Sequence, residues 1–324
     1  MALDGYPIDE NRLESLIADT HIPPRIVTFF LQWPQSSDTI TFPNITLSAI
    51  WSVGAIPCLT WEPMVIENGK EKTISHIAIS EGRYDPYLRD FARAAGAWGK
   101  PMIIRFAHEM NFKRYHWGTS EADYGLNSPK IYQNMFKYIV SIFRQEGANN
   151  ILWAFCPNAE SIPNPSSDPQ AGWNHATAYY PGDEFVDILG MDGYNWGTTQ
   201  TLKDSGWQSH WQSFESIFGS LYRELRAISS TKPVIVFETA STHQGGDKGQ
   251  WIQDAFRSAD AWNLNGMIWF EVNKELDWRL KTGMDSKYLT WLRTRLSPAQ
   301  NWANALISER KYSRTKNEFS AVMQ

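Results

Sequence analysis

The chain has 324 residues, 42% of them hydrophobic, and its 30 basic and 35 acidic side chains leave a formal net charge of −5. That is enough apolar material for one large core, and the scattered basic residues form no stripe for nucleic acid; a disordered chain is equally excluded. No run of about 18 apolar residues offers a membrane span, and the opening Met-Ala-Leu-Asp-Gly lacks the basic and apolar regions of a signal peptide.

Short β-branched runs alternate with longer stretches of helical period, the pattern of an α/β fold with a parallel sheet. Ala2–Pro7 reads as a short first strand, and Arg25–Leu31, Ala55–Thr60, Met102–Ala107, Ile151–Phe155, Val186–Gly190, Val234–Phe237 and Met267–Phe270 read as seven more. Asp85-Pro86 opens a helix that Gly99 closes, and Ser128-Pro129 opens another that Gly147 closes. Trp211 to Ile228 carries a third apolar stripe, and Asp247 and Asp285 are placed to start the last two helices. Eight strands with intervening helices predict a (β/α)8 TIM barrel in a single domain over residues 1–297, with residues 298–324 as an accessory helix and tail. A doubly wound open sheet is the structural rival, weakened by the absence of a Gly-rich fingerprint after the early strands. The long polar stretches Trp61–Gly82, Asn111–Asn127 and Pro157–Trp173 follow strands, which in a barrel puts them at the catalytic face.

The chain holds 16 Trp, 13 Tyr and 16 Phe. Part of that excess is core, but many Trp fall at strand ends or in loops, where flat faces suit the C–H faces of pyranose rings. Trp61, Trp117, Trp196 and Trp269 are the candidates for sugar contact. Cys58 and Cys156 lie inside strand-like runs and read as small buried hydrophobes. No His/Cys ligand spacing and no Gly-x-Ser-x-Gly turn occurs, so neither a metal nor another cofactor is expected.

Two acidic residues stand just past strands. Ile103-Ile-Arg105-Phe-Ala-His108-Glu109 places Glu109 after the fourth, and Val234-Ile-Val-Phe-Glu238 places Glu238 at the tip of the seventh. Two carboxyls on separate strand ends are what cleavage of a β-glycosidic bond with retention requires, one protonating the leaving oxygen and the other attacking the anomeric carbon. Arg105 is placed to hold a carboxylate ionised, and His108 to orient substrate or the opposite carboxylate.

Arg105-Phe-Ala-His108-Glu109-Met-Asn111, followed by Trp117, resembles the acid/base motif of glycoside hydrolase family 26, and Pro233-Val-Ile-Val-Phe-Glu238-Thr-Ala-Ser241 is similar to its nucleophile strand. Thr60-Trp-Glu-Pro63, Ile151 to Asn158, Tyr180-Pro-Gly-Asp183, Gly190-Met-Asp192-Gly-Tyr194-Asn-Trp196, Gly245 to Lys248 and Asn273 to Arg279 extend the likeness in order. The resemblance implies a retaining barrel enzyme with Glu109 as acid/base and Glu238 as nucleophile. It further implies that Tyr194 hydrogen-bonds the nucleophile, that Arg105 and His108 line the same subsite, and that Trp269 floors it. The Thr-Trp-Glu-Pro and Asn-Lys-Glu-Leu-Asp-Trp-Arg stretches look like the lichenase-type branch more than the β-mannanases. The expected activity is therefore endo-hydrolysis of β-1,4 linkages in a mixed-linkage β-glucan. A β-mannanase or an exopolysaccharide hydrolase is the alternative, and a non-catalytic carbohydrate-binding barrel the reading from another class. Lys113 and Arg114 hint at an anionic glycan if they face the cleft. The expected partner is a β-linked polysaccharide, met by a monomer in a secreted or periplasmic location.

Overall fold

The computed structural model describes residues 1–35, 42–118, 124–294 and 305–308. In chain order its main elements are α1 (Glu10–Thr20), β1 (Ile26–Gln32), α2 (Asn44–Ser52), β2 (Ile56–Glu62), β3 (Met64–Glu67), β4 (Lys70–Thr73), α3 (His76–Ser80), α4 (Asp85–Trp98) and β5 (Met102–Phe106). There follow α5 (Ser128–Gln145), β6 (Ile151–Phe155), β7 (Ile188–Asn195), α6 (Leu202–Ser205), α7 (Phe214–Ile228), β8 (Val234–Ser241), α8 (Lys248–Ala261), β9 (Gly266–Trp269) and α9 (Ser286–Arg293). Seven strands form one parallel sheet in the order β1-β2-β5-β6-β7-β8-β9. Ala2 bridges Thr28 on one side and Phe270 on the other, both in parallel sense, so it joins the two edges and closes the cylinder. The expected first strand, Ala2–Pro7, is thus reduced to this bridge and its flanking bonds, Leu3 N–H to Thr28 O and Glu271 N–H to Ala2 O, both 2.9 Å. The architecture is the (β/α)8 barrel.

Strand side chains alternate between two apolar layers, as the period of two demands. Ile26, Ile56, Cys58, Ile103, Leu152, Ala154, Ile188, Ile235, Phe237 and Ile268 fill the interior. Val27, Phe29, Leu59, Trp61, Ile104, Phe106, Trp153, Leu189 and Val236 face out against helical residues such as Leu88, Phe91, Phe136, Phe143 and Leu221. Both cysteines are free and buried in or beside the inner layer.

The helix punctuation is mostly as expected. Gly99 (φ 74°) caps α4 in the left-handed region, and Asp247 and Asp285 cap α8 and α9 through Gln250 N–H and Lys287 N–H. At α4, however, Asp85 lies within the helix and its side chain accepts from Tyr138 Oη at 2.7 Å, leaving Tyr84 at the cap position. The stretch Trp61–Gly82, expected as a polar loop, contains the β3–β4 hairpin, turning through Asn68 (φ 52°) and Gly69 (φ 71°). An Asn-Gly pair supplies two positive φ values at low cost, which is why a hairpin forms there. Of the accessory segment 298–324, only 305–308 are described, as a helical turn; the remainder lies outside the described residues. Among the described residues no helix is long and apolar enough to cross a membrane.

Candidate active site

At the C-terminal ends of the strands the inner layer turns polar. Arg105, on β5, is completely buried and organises it. Register pairs Arg105 with Thr60 of β2, and Thr60 Oγ1 accepts from Arg105 Nε at 3.0 Å and Nη2 at 2.7 Å. The same guanidinium donates through Nη1 to Asp192 Oδ2 at 2.5 Å and through Nη2 to Glu238 Oε1. One cation so shared holds two carboxylates that would otherwise repel, and its planar fork suits the task better than a lysine's single head. Burial pushes the Asp192 carboxyl well above the usual range, with Arg105 opposing and Glu238 adding to the shift.

Glu238 stands in β8 where the register with β7 slips: Met191 faces Val236, and Asp192 faces Glu238, leaving Phe237 as the extra residue. The slip lets Phe237 fill the barrel and still aims Glu238 at the mouth, the local re-phasing that bulges provide. Gly190 makes room for it, since a Cβ there would lie 2.7 Å from the Phe237 ring and 2.8 Å from Cys156. The second oxygen of Glu238 accepts from Tyr194 Oη at 2.5 Å.

Glu109 follows β5 in a tight turn, with positive φ at Ala107 (47°) and at Glu109 itself (54°). Side-chain-bearing residues enter this region at a cost of roughly 1–3 kcal/mol each, and such strain gathers at functional sites. The turn is pinned by Glu109 N–H to Cys156 O at 2.8 Å. Asn158 Nδ2 donates to Glu109 Oε1 at 2.8 Å, and Asn158 is itself held by Asn111, whose Oδ1 accepts from Asn158 N–H and whose Nδ2 donates to Asn158 O. Burial, reinforced by the charge of Glu238, pushes Glu109 up to about 7; Asn158 and Arg105 act the other way.

His108 is buried beside them, with a nitrogen within 4.8 Å of oxygens of both Asp192 and Glu238. Burial and the charges of Arg105 and Arg114 lower its pKa well below the ordinary value, so the imidazole is neutral. These three side chains have the spacing of a metal-ligand set, but Arg105 already supplies the positive charge their carboxylates need.

Among the residues expected at the site, Arg105, His108, Glu109, Tyr194 and Glu238 come together. Trp196 lies at the rim, half-buried, its ring 4.9 Å from that of Trp278 and 5.6 Å from that of Trp207. Three tryptophans do not join them. Trp61 is fully buried in the outer layer, stacked on Phe91 at 4.6 Å, because odd positions of β2 face the helices. Trp117 is also fully buried; its Nε1 donates to His108 O at 2.7 Å and its ring stacks on Tyr115 at 4.2 Å, so it supports the turn from beneath. Trp269 turns toward α8, with Lys248 Nζ 5.2 Å from its ring centre and its Nε1 bonded to Trp278 O. The inward place falls to the next residue, Phe270, whose ring lies 5.6 Å from Tyr194 and 6.4 Å from Phe30. Sequence reasoning left Asp192, Asn158, Asn111, Phe270, Phe30 and Trp278 out of the site. Asp192 and Asn158 sit within the motifs that carried the family resemblance; strand parity is the signal that separates Phe270 from Trp269. Arg114 forms a two-pronged pair with Glu71 of β4 (2.6 and 2.8 Å), and Lys113 Nζ lies 5.9 Å from the Tyr124 ring centre. Arg114 is thus paired, and its charge also reaches His108 and Glu109.

Comparison with known proteins gives a consistent picture. A model of "Glycosyl hydrolase family 26" matches residues 93–208, a stretch that includes Arg105, Glu109, Asn158, Asp192 and Tyr194. Endoglucanase H of Acetivibrio thermocellus is 34% identical over 263 residues, 81% of this chain and 26% of that protein; the chain thus spans about a quarter of that relative's length. A mannan endo-1,4-beta-mannosidase of Bacillus subtilis is 24% identical over 307 residues, 89% of this chain and 70% of that one. The solved Bacillus subtilis mannanase BCman superposes with a TM-score of 0.62 at 19% identity, covering 88% of this chain and 82% of its own, a likeness of fold.

Proposed function

Because the chain belongs to glycosyl hydrolase family 26, we propose that it is a retaining endo-β-1,4-glycanase with Glu109 as acid/base and Glu238 as nucleophile. The observation that carries this reading is the asymmetry of the pair: Glu109 is pushed up to about 7 beside a Glu238 that faces two donors, Arg105 and Tyr194. In the first step Glu238 attacks the anomeric carbon while the glycosidic C–O bond breaks and the Glu109 proton passes to the leaving oxygen. The Glu238 ester so formed is uncharged. Loss of that neighbouring charge lowers the proton affinity of Glu109, which then takes a proton from the attacking water as the ester bond breaks. Neutral His108 and the Phe30 and Phe270 rings line the sugar at the cleavage point.

Mixed-linkage β-1,3-1,4-glucan is the favoured substrate, since the relative with the higher identity is named an endoglucanase. Mannan is the second reading, favoured by the mannosidase that aligns over more of this chain. We place the reaction outside the cytoplasm, where polymeric glycans are met, and assign it to a single chain. Reducing ends released from barley β-glucan, glucomannan and galactomannan decide between the polymers. Glu109→Ala lowers kcat on the preferred polymer about 10²–10⁴-fold, and Glu238→Ala abolishes turnover until azide restores it with inverted product stereochemistry. Wild-type rates in both variants overturn the assignment.

A further inference from the structure

Beyond the reacting pair and Asp192, Glu62 is a further buried carboxyl at the barrel mouth, and the two-step displacement has no use for it. It ends β2 on the inner face that carries Cys58 and Thr60. It is 4% exposed, against 7% for Glu109 and 5% for Glu238, so it is as buried as the reacting pair. Its register partner at the end of β1 is Gln32, which donates Nε2 to Glu62 Oε2. Burial raises its pKa to about 7, with Glu238 and Glu71 adding and Gln32 and Arg105 opposing. A carboxyl with no full ion pair of its own is costly to bury.

Its position around the cylinder indicates a use. A line from Glu109 to Glu238 divides the mouth in two: β6 and β7 on one side, with Asn158 and Tyr194, and β2, β1, Ala2 and β9 on the other. A glycan with its scissile bond between the two glutamates must run into the second half as well. There Phe30 and Phe270 offer ring faces and no hydrogen bonds, Thr60 of β2 is already taken up by Arg105, and Glu62 and Gln32 make a hydrogen-bonded polar pair. We propose that Glu62 and Gln32 form a hydroxyl-recognition pair for the neutral hexopyranose unit on the β1–β2 side of the scissile bond. A carboxylate oxygen and the Gln32 carbonyl oxygen accept from sugar hydroxyls, while the amide of Gln32 fixes the carboxylate in place. The inference rests on the glycanase reading and makes these two side chains determinants of which sugar is taken.

The test uses the full chain in a Glu238→Ala background, with cellotetraose and mannotetraose as probes in titration calorimetry. Glu62→Gln and Gln32→Ala should each weaken binding of the better probe, Glu62→Gln by roughly tenfold to a hundredfold, the loss expected for one hydrogen bond to a charged group. In the otherwise wild-type chain the same substitutions should leave the melting midpoint no lower and the alkaline limb of the pH–rate profile, set by Glu109, unmoved. Affinity unchanged within twofold for Glu62→Gln overturns the proposal. So does a loss of affinity that comes with a lowered midpoint in both variants, which marks a structural pair. If the parent chain binds neither probe and the unsubstituted chain cleaves no β-glycan, the glycanase reading falls and this inference with it; binding by the parent with unchanged Glu62→Gln affinity removes this inference alone.

Discussion

Asn158 shows how much of the chemistry is set by a side chain that acts through Glu109. Its amide donates to Glu109 Oε1, a bond that favours the ionised carboxyl and so restrains the upward push of burial and of Glu238. Asn158→Ala removes the restraint. The proton affinity of Glu109 then rises, and the alkaline limb of kcat/KM, which reports the free protein's acid, moves to higher pH. Meanwhile kcat falls roughly tenfold or more, because the same residue must later act as base and has lost its alignment. A pH–rate profile whose limb stays in place or moves down would show that Asn158 does not tune Glu109. Glu109 and Glu238 were legible in the sequence because strand-terminal acids need no knowledge of neighbours. Asn158 and Asp192 were not: their role depends on which strand lies beside which, and on Asn158 bridging to Asp192 across the β6–β7 edge.

At the scale of elements, strand parity decides which aromatic residues can meet a sugar. Trp61 and Trp269 stand beside inward positions, Glu62 and Phe270, and a shift of one residue along a strand turns a side chain to the opposite face. Sequence composition marked the barrel as rich in tryptophan but could not fix this phase, and the slip at Phe237 shows that the phase changes within a strand. From Tyr194, the rings of Trp278 (5.2 Å), Trp196 (4.9 Å further) and Trp207 (5.6 Å further) lead away from the nucleophile to the surface. Trp207, 43% exposed, ends this row of rings at the surface. Trp207→Ala should lower kcat/KM roughly tenfold on a hexasaccharide of the preferred glycan, the contribution of one covered ring face, and leave the shortest cleaved oligosaccharide unaffected. Equal losses on long and short substrates would show that Trp207 supports the loop and is no distant platform.

For the molecule as a whole, the alternation of strands and helices made the barrel legible, because that pattern has few closed solutions. The closing stave was legible only in part, since a single bridging residue, Ala2, has no periodicity to read. The interior polarity of the barrel has a consequence for stability that follows from Glu62 and Glu109 together. Both carboxyls are raised by burial from 4.5 to about 7. Between those pH values these two groups hold protons in the folded chain that the unfolded chain has released, so their contribution to stability falls as pH rises through the window, while neutral His108 contributes in the opposite sense. The contribution is fully present below about pH 4.5 and gone above about pH 7, on the order of 3 kcal/mol for each group. Asp277, drawn down to about 2 by Arg279, acts only below the window and leaves this slope alone. The double variant Glu62→Gln/Glu109→Gln lacks both titrations while keeping the shape of both side chains. Its melting midpoint should match the wild type near pH 4.5 and exceed it by several degrees at pH 7.5, with each single variant showing part of the gain. Parallel midpoint curves for wild type and double variant across that range would mean that the two carboxyls are as well solvated as in the unfolded chain, and the elevated acid at the centre of the proposed mechanism would go with them.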